Sequence, residues 1–182
     1  MVKVYKLEFT LLQQEILKYL FVKSGKSFNA RGLAIPLERT QAGIIKALPE
    51  LEKKELIKIK KDKESGRWAI ELNRDNSKTI DLKRVENLKT VYESGLSYFL
   101  EEKFPGSIII LFGSYSYGED TINSDIDIAI IGSKEKKVEL NKFEKFLDRE
   151  IRINFYNNIN EINKNLRSNI FNGIILSGRI GL

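Results

Sequence analysis

Two apolar runs separated by a polar loop constrain the fold of this chain more than any other feature of its sequence. The first run, Ser107–Phe112, ends at Gly113-Ser114, and the second, Asp125–Ile131, begins after a polar stretch. Short apolar runs that are rich in isoleucine and bounded by glycine and polar residues are typical of buried strands. The other elements predicted in this half are a turn with a short helix at 113–121, helices at 138–147 and 159–171, and strands at 151–156 and 173–176. Alternating strands and helices predict a small α/β sheet.

The first part of the chain has a different pattern, which predicts three helices and then two strands joined by a turn. The helices are predicted at 10–22, 29–34 and 39–54, the strands at 56–60 and 67–72, and the turn at 62–66. Thr10 is suited to cap the first helix, and Pro49 is expected to kink or split the third. Three helices followed by a β-hairpin resemble a winged helix-turn-helix, which is implied for about residues 8–74.

A polar stretch at Asn73–Lys78 is the predicted boundary of this first part. Beyond it, apolar residues at spacings of three and four predict one long helix over Thr79–Lys103, which Pro105-Gly106 ends. The apolar stripe of this helix has to be covered. Two arrangements would cover it: packing on the neighbouring domain, or a dimer seam with a second copy of the chain.

The composition narrows the chemistry that the chain can carry. There is no cysteine and no histidine, which excludes disulfides, thiolate chemistry, the usual zinc sites and acid–base catalysis by histidine. Carboxylates, hydroxyls, amides, lysines and arginines remain. These groups suit hard cations such as Mg²⁺ or Mn²⁺.

Two carboxylates open the second apolar run. Asp125 and Asp127 stand at i and i+2, so they project from the same face of a strand. Neighbouring carboxylates repel each other and are tolerated when a divalent cation neutralises them. Gly113 lets the backbone approach a ligand closely, and the turn amides with the Ser114 hydroxyl are suited to phosphate. The alternative is an exposed strand with ordinary surface charges beside a generic Gly-Ser turn.

The pair Gly113-Ser114, a short helix and the segment Ser124–Asp127 resemble the signature of the nucleotidyltransferase superfamily related to DNA polymerase beta. The resemblance is closest to its minimal nucleotidyltransferase branch. It covers about residues 95–182 and includes the closing segment Asn172–Gly178.

This resemblance implies transfer of a nucleotide from an NTP to a protein or nucleic-acid hydroxyl, with Mg²⁺ or Mn²⁺ as cofactor. Asp125 and Asp127 would be the catalytic metal ligands. Gly113, Ser114 and Ser124 would bind the nucleotide. Antitoxins of the minimal branch suggest a partner toxin as the protein acceptor, by analogy alone.

Two positions depart from the family pattern. In the strand predicted at Ile151–Tyr156, Asn154 occupies the place expected for the third catalytic carboxylate. An asparagine can ligate through its carbonyl oxygen but brings no charge, and Glu150, of the same parity, is expected to substitute in part. Tyr117 stands where many relatives have an arginine that contacts phosphate.

Two hypotheses therefore stay open. In the first, the protein is a working Mg²⁺-dependent nucleotidyltransferase with a winged helix for targeting or autoregulation. In the second, it is a DNA-binding transcriptional regulator whose degenerate transferase domain senses a nucleotide or only dimerises. The intact Asp125/Asp127 pair favours the first hypothesis, and Asn154 and Tyr117 favour the second.

The positive charge of the chain lies in its first part. The net charge is +6, and residues 1–77 hold 16 Lys and Arg against 10 Asp and Glu, whereas residues 78–182 hold 15 of each. A basic winged helix favours duplex DNA as a partner, with the third helix in the major groove. The predicted DNA-binding residues are Arg39, Thr40, Gln41 and Lys46 at the third helix, and Lys63 and Arg67 at the hairpin. The alternatives are a solubilising lysine-rich surface and a protein–protein module.

Taken together, the sequence predicts an α+β protein of three parts. These are a winged helix at 1–77, a connecting helix at 78–104 and a small mixed-sheet nucleotidyltransferase-like domain at 105–182. No apolar run is long enough to span a bilayer, and the first residues lack an apolar signal core, so we expect a cytoplasmic protein.

Overall fold

The computed structural model describes residues 8–61 and 68–180. The chain divides into two compact units, Met1–Thr79 and Ile80–Leu182, each with its own buried apolar residues. Among the helices described, none combines the length and the apolar character needed to cross a membrane.

The first unit consists of three helices and a two-stranded antiparallel sheet. Its elements are α1 Leu11–Val22, α2 Ala30–Ala34, α3 Gln41–Lys53, β1 Ile57–Lys61 and β2 Trp68–Leu72. An isolated antiparallel bridge also pairs Phe28 with Ile70 of β2. This arrangement confirms the predicted winged helix. The predicted turn at 62–66 lies outside the described residues.

Side-chain caps and a shared core explain why the three helices form. The Thr10 hydroxyl accepts from the Gln13 backbone N–H at 3.3 Å, and the Gln13 side chain accepts from the Thr10 N–H at 2.9 Å. This reciprocal pair is a capping box that fixes the start of α1. Pro49 does not split α3, which continues to Lys53. Leu48 and Leu51 are both fully buried, so core packing holds the helix together on either side of the proline.

The predicted long helix over 79–103 is wrong. Two helices take its place, α4 Ser77–Glu93 and α5 Leu96–Lys103. Gly95 lies between them with a φ of 76°, a left-handed conformation that ends α4 and that glycine adopts at little cost.

The second unit is built on a four-stranded mixed sheet. Its further elements are β3 Ile108–Phe112, α6 Gly113–Tyr117, β4 Ile126–Ile131, α7 Asn141–Leu147, β5 Ile151–Tyr156, a short 3-10 helix Ile159–Glu161, α8 Lys164–Phe171 and β6 Ile174–Ser177. The strand order is β5-β4-β3-β6; β4 and β5 are parallel, and β3 is antiparallel to both of its neighbours. The single helix predicted at 159–171 is wrong, because the Asn163 side chain caps a new helix there by accepting from the Asn165 N–H.

Both faces of the sheet are covered by apolar side chains. One face belongs to a core that includes residues of α4, α5 and α7, among them Val91, Leu100 and Phe143. The opposite face packs with Ile162 and Ile170. Strand pairing places Phe112 of this second face opposite Asp127. Asp127, the charged residue of β4, therefore lies at the end of this second face.

Candidate functional site

The glycine turn and the second aspartate meet at one end of the sheet. Phe112 and Asp127 are register partners on β3 and β4, and α6 begins at Gly113 directly after Phe112. Gly113 has a φ of +72°, and a Cβ built on it would lie 2.5 Å from Asp127 Oδ2. A side chain at this position would have to displace the Asp127 carboxylate, and the left-handed conformation would strain it as well. The two sequence segments predicted to form one site are therefore in contact.

Asp125 lies immediately before β4 and is engaged in an ion pair. Its Oδ2 is 2.9 Å from Nη1 of Arg152, a residue of β5. The Asp125 side chain is 24% exposed and that of Arg152 is 59% exposed. Arg152 is also the register partner of Asp127. The two carboxylates and the guanidinium thus form one cluster on the rim of the sheet.

The pKa of Asp127 is raised above its ordinary value of 3.8. Burial of the carboxyl group is the largest cause, the negative charge of Asp125 is the second, and Arg152 opposes both. A proton or another positive charge therefore stabilises this carboxylate more than it would in water.

Asn154 does not lie beside the aspartates. The parallel register pairs it with Ala129, whereas Arg152 holds the place opposite Asp127. Asn154 and Arg152 lie on one face of β5, with one register pair between them. Glu150 precedes β5; its carbonyl accepts from the Ile126 N–H at 2.8 Å, and its carboxylate is 3.6 Å from Arg152 Nε.

These residues do not fit the Mg²⁺ or Mn²⁺ site that the resemblance implies. Of the two aspartates, Asp125 already contacts a guanidinium, and the residue opposite Asp127 on the neighbouring strand is an arginine. Within residues 8–61 and 68–180 no three acidic side chains are grouped closely enough to hold a metal ion. A divalent cation needs negative ligands at short range, and the positive charge of Arg152 works against it.

The remaining residues predicted to bind the nucleotide lie around this cluster. Ser114 is half-buried in α6. Ser124 closes the loop before Asp125, because its hydroxyl accepts from the Thr121 N–H at 2.9 Å. The Tyr117 ring lies 5.9 Å from the guanidinium carbon of Arg84, so an arginine from α4 stands near the tyrosine that replaces the family's arginine.

A buried charge network behind the site was missed by the sequence analysis. The Asp120 carboxylate accepts from Lys83 Nζ and from Asn87 Nδ2, the latter at 2.7 Å, and Arg149 Nη2 lies 3.5 Å away. All four side chains are buried. The network joins α4 and the residue before Glu150 to the segment that leads to Asp125, so it holds that segment in place.

The predicted DNA-binding residues fall into three groups. Gln41 and Lys46 are exposed on α3. Arg39 and Thr40 precede α3 and make intramolecular contacts: Arg39 pairs with Glu15 at 2.8 Å, and the Thr40 hydroxyl accepts from the Gly43 N–H. Lys63 and Arg67 lie outside the described residues.

An apolar cleft beside α3 was also missed. It has a volume of about 510 Å³ and is lined by Asn29, Ala30, Arg31, Gln41, Ile45 and Trp68. Ile45 and Trp68 are large apolar side chains that are nonetheless exposed. The exposed surface beside α3 is therefore partly apolar.

Residues 94–177 match a family model described as a nucleotidyltransferase domain. No curated protein matches the chain. Similar solved structures include MepR, a transcription regulator of the Staphylococcus aureus multidrug efflux pump MepA, at 22% identity and a TM-score of 0.40 over 52% of this chain and 66% of that chain. The adhesin competence repressor AdcR from Streptococcus pyogenes has 21% identity and a TM-score of 0.41 over 53% of this chain and 69% of that chain.

ZitR from Lactococcus lactis has 24% identity and a TM-score of 0.39, over 57% of this chain and 67% of that chain. The chain thus spans just under two thirds of MepR and about two thirds of ZitR. Residues 94–177 are thus similar to a nucleotidyltransferase domain, and they follow a unit with the three helices and two paired strands of a winged helix.

Proposed function

We propose that this protein is a DNA-binding regulator whose nucleotidyltransferase domain binds a nucleotide and does not transfer it. One observation carries the second part of this proposal: Arg152 contacts Asp125 and stands opposite Asp127. Metal-assisted transfer depends on carboxylates that are free to hold cations against the reacting phosphate. Here a side chain already neutralises one of them.

Nucleotide binding is supported by the turn that begins at Gly113. Its positive φ and its contact with Asp127 bring bare backbone to the rim of the sheet. Ser114 adds a hydroxyl donor beside it, and the family match covers both residues. Polyphosphates are commonly bound by backbone amides of such turns together with a basic side chain.

DNA binding is supported by the first unit. Its third helix presents Gln41 and Lys46 on the exposed side, next to the cleft that contains Arg31. In a winged helix this helix enters the major groove, where glutamine and lysine contact base edges and phosphates. The excess of positive charge in residues 1–77 has the sign that DNA requires.

A second candidate is a working transferase, because Asp125 and Asp127 are both present and Asp127 touches the glycine turn. In that case Mg²⁺ or Mn²⁺ would bind at the pair, and the acceptor would be a protein or nucleic-acid hydroxyl, a partner toxin being one candidate. A homodimer through the connecting helices also stays a prediction.

Labelled NTPs with Mg²⁺ or Mn²⁺ and cell lysate separate the two candidates. We expect the wild-type protein to retain nucleotide without labelling any acceptor. Labelling that the double variant Asp125→Ala/Asp127→Ala abolishes, and that the matched surface variant Lys145→Gln retains, would establish the transferase instead.

The proposed DNA binding is tested separately. Binding to a pool of random duplexes is expected to weaken steeply as salt rises, because lysine and arginine contacts release counterions from the phosphates. Lys46→Gln should lower the affinity, whereas Lys145→Gln in the other unit should not. Absence of binding to every duplex would remove this half of the proposal.

A further inference from the structure

Arg152 stands opposite Asp127, on the strand from which the resemblance implies a third carboxylate. β4 and β5 are parallel, and Asp127 and Arg152 are partners in the register. Partners on adjacent strands lie side by side on one face of the sheet. The strand that should complete an acidic group therefore supplies a permanent positive charge, because a guanidinium does not lose its proton in proteins.

The contacts of Arg152 place its guanidinium between carboxylates. Nη1 is 2.9 Å from Asp125 Oδ2, and Nε is 3.6 Å from Glu150 Oε1. More than half of the Arg152 side chain is exposed. Because a guanidinium has five N–H donors, these contacts leave donors that a solvent-borne anion can reach.

This arrangement has opposite consequences for a metal ion and for a phosphate. A divalent cation that approaches Asp125 meets a guanidinium already in contact with the same carboxylate, and the like charges repel. A phosphate would be repelled by Asp125 and Asp127 alone. The guanidinium offsets that repulsion and offers the paired N–H groups that bind phosphate well.

We propose that Arg152 is the cation of this site: it replaces a divalent metal between the two aspartates and a nucleotide polyphosphate. The site then excludes metal and binds the polyphosphate without it. The polyphosphate part rests on the proposed function, whereas the exclusion of metal stands on the contacts of Arg152 alone.

Manganese binding tests the exclusion of metal. Mn²⁺ is titrated into wild-type protein, Arg152→Asp, Arg152→Gln and the control Lys145→Gln, with free Mn²⁺ followed by electron paramagnetic resonance. Arg152→Asp places a third carboxylate opposite Asp127, so we expect it to bind Mn²⁺ at least about tenfold more tightly than wild type. Arg152→Gln should also gain affinity, since it removes the repelling charge in a side chain of similar length, and Lys145→Gln should match wild type. Wild-type binding as tight as that of Arg152→Asp, and lost in Asp125→Ala, would overturn the proposal.

ATP binding tests the replacement itself. Calorimetry with the full chain is expected to give wild-type protein the same affinity for ATP in EDTA as in MgCl₂. Arg152→Gln should lose about tenfold in EDTA, the typical contribution of a hydrogen bond to a charged group. Wild-type binding that requires MgCl₂ would overturn the replacement.

The two assays keep this inference apart from the proposed function. If no variant binds ATP under either condition while Arg152→Asp still gains Mn²⁺, nucleotide binding is refuted and the exclusion of metal is supported. Circular dichroism spectra establish that each variant is folded. Arg152→Gln is a second variant at the same position, so its Mn²⁺ affinity still tests the exclusion of metal if Arg152→Asp does not fold.

Discussion

Two aspartates in the segment between α6 and β4 are each paired with basic side chains, yet their surroundings differ. Asp120 lies with Lys83 and Arg149, and the exposed fractions of these side chains are 1%, 0% and 2%. Asp125 and its partner Arg152 are 24% and 59% exposed. One cluster is closed to solvent and the other is open.

This difference assigns the two clusters different roles. A buried carboxylate between cations cannot be removed without leaving charges that water does not reach, so its loss is strongly destabilising. An exposed pair contributes little to stability, because water and salt screen it. Asp125 and Arg152 can therefore exchange partners with a ligand, whereas Asp120 holds the segment that presents them.

The largest expected effect is on stability. We expect Asp120→Asn to lower the free energy of unfolding by about 3 kcal/mol, because Lys83 and Arg149 lose their buried carboxylate. Asp125→Asn is the matched control in the same segment and should cost less than about 1 kcal/mol. Urea unfolding followed by circular dichroism measures both. If the two variants lost the same free energy of unfolding, the buried cluster would contribute no more to stability than the exposed one.

The next effect is at the glycine turn. Gly113→Ala should destabilise by about 2 kcal/mol, because the left-handed conformation becomes strained and the new methyl group displaces the Asp127 carboxylate. Gly106 has a φ of +78° with nothing within 4 Å of a built Cβ, so Gly106→Ala is the control for conformation alone. That control should cost about 1 kcal/mol. Thermal unfolding measures the stability of both variants. An equal loss of stability in the two would show that the contact with Asp127 adds nothing to the cost at Gly113.

Most of the open cluster around Asp125 could be predicted from the sequence, whereas the closed cluster around Asp120 could not. Gly113, Asp125 and Asp127 belong to local patterns: a strand end and a period-two repeat. The place of Arg152 depends on the register between β4 and β5, which is set by packing over a long stretch of chain and not by local spacing. Local spacing pointed to Asn154, which lies on the same face of β5 as Arg152 and is paired with Ala129.

The prediction of one long connecting helix was wrong for a related reason. Val85 and Tyr92 are among the apolar residues whose spacing of three and four predicted the buried stripe of this helix, but both are exposed. The buried side of α4 instead includes Lys83, Asn87 and Val91, spaced by four residues, and two of these are polar. Rules that assign polar residues to the surface cannot find a helix face whose buried groups are satisfied by an aspartate far along the chain.

The smallest effect concerns Asp127 and sharpens the description of the open cluster. Its pKa is raised in the fold, so the folded protein holds this proton more tightly than the unfolded chain does. The bound proton of Asp127 therefore stabilises the fold at a pH below the ordinary pKa of 3.8, and this stabilisation is lost as the pH rises through the raised pKa. Asp127→Asn should accordingly be slightly more stable than wild type at neutral pH and no more stable in acid.

Arg152→Gln should raise the pKa of Asp127 further, because the guanidinium is the group that lowers it against burial and Asp125. A carbon-detected NMR titration of the Asp127 carboxyl measures this directly, with Lys145→Gln as the control for an equal loss of charge. An unchanged pKa in Arg152→Gln would mean that the guanidinium acts on Asp125 alone. Arg152 would then be an ordinary surface partner of one aspartate, and the open cluster would lose the positive charge that its two carboxylates share.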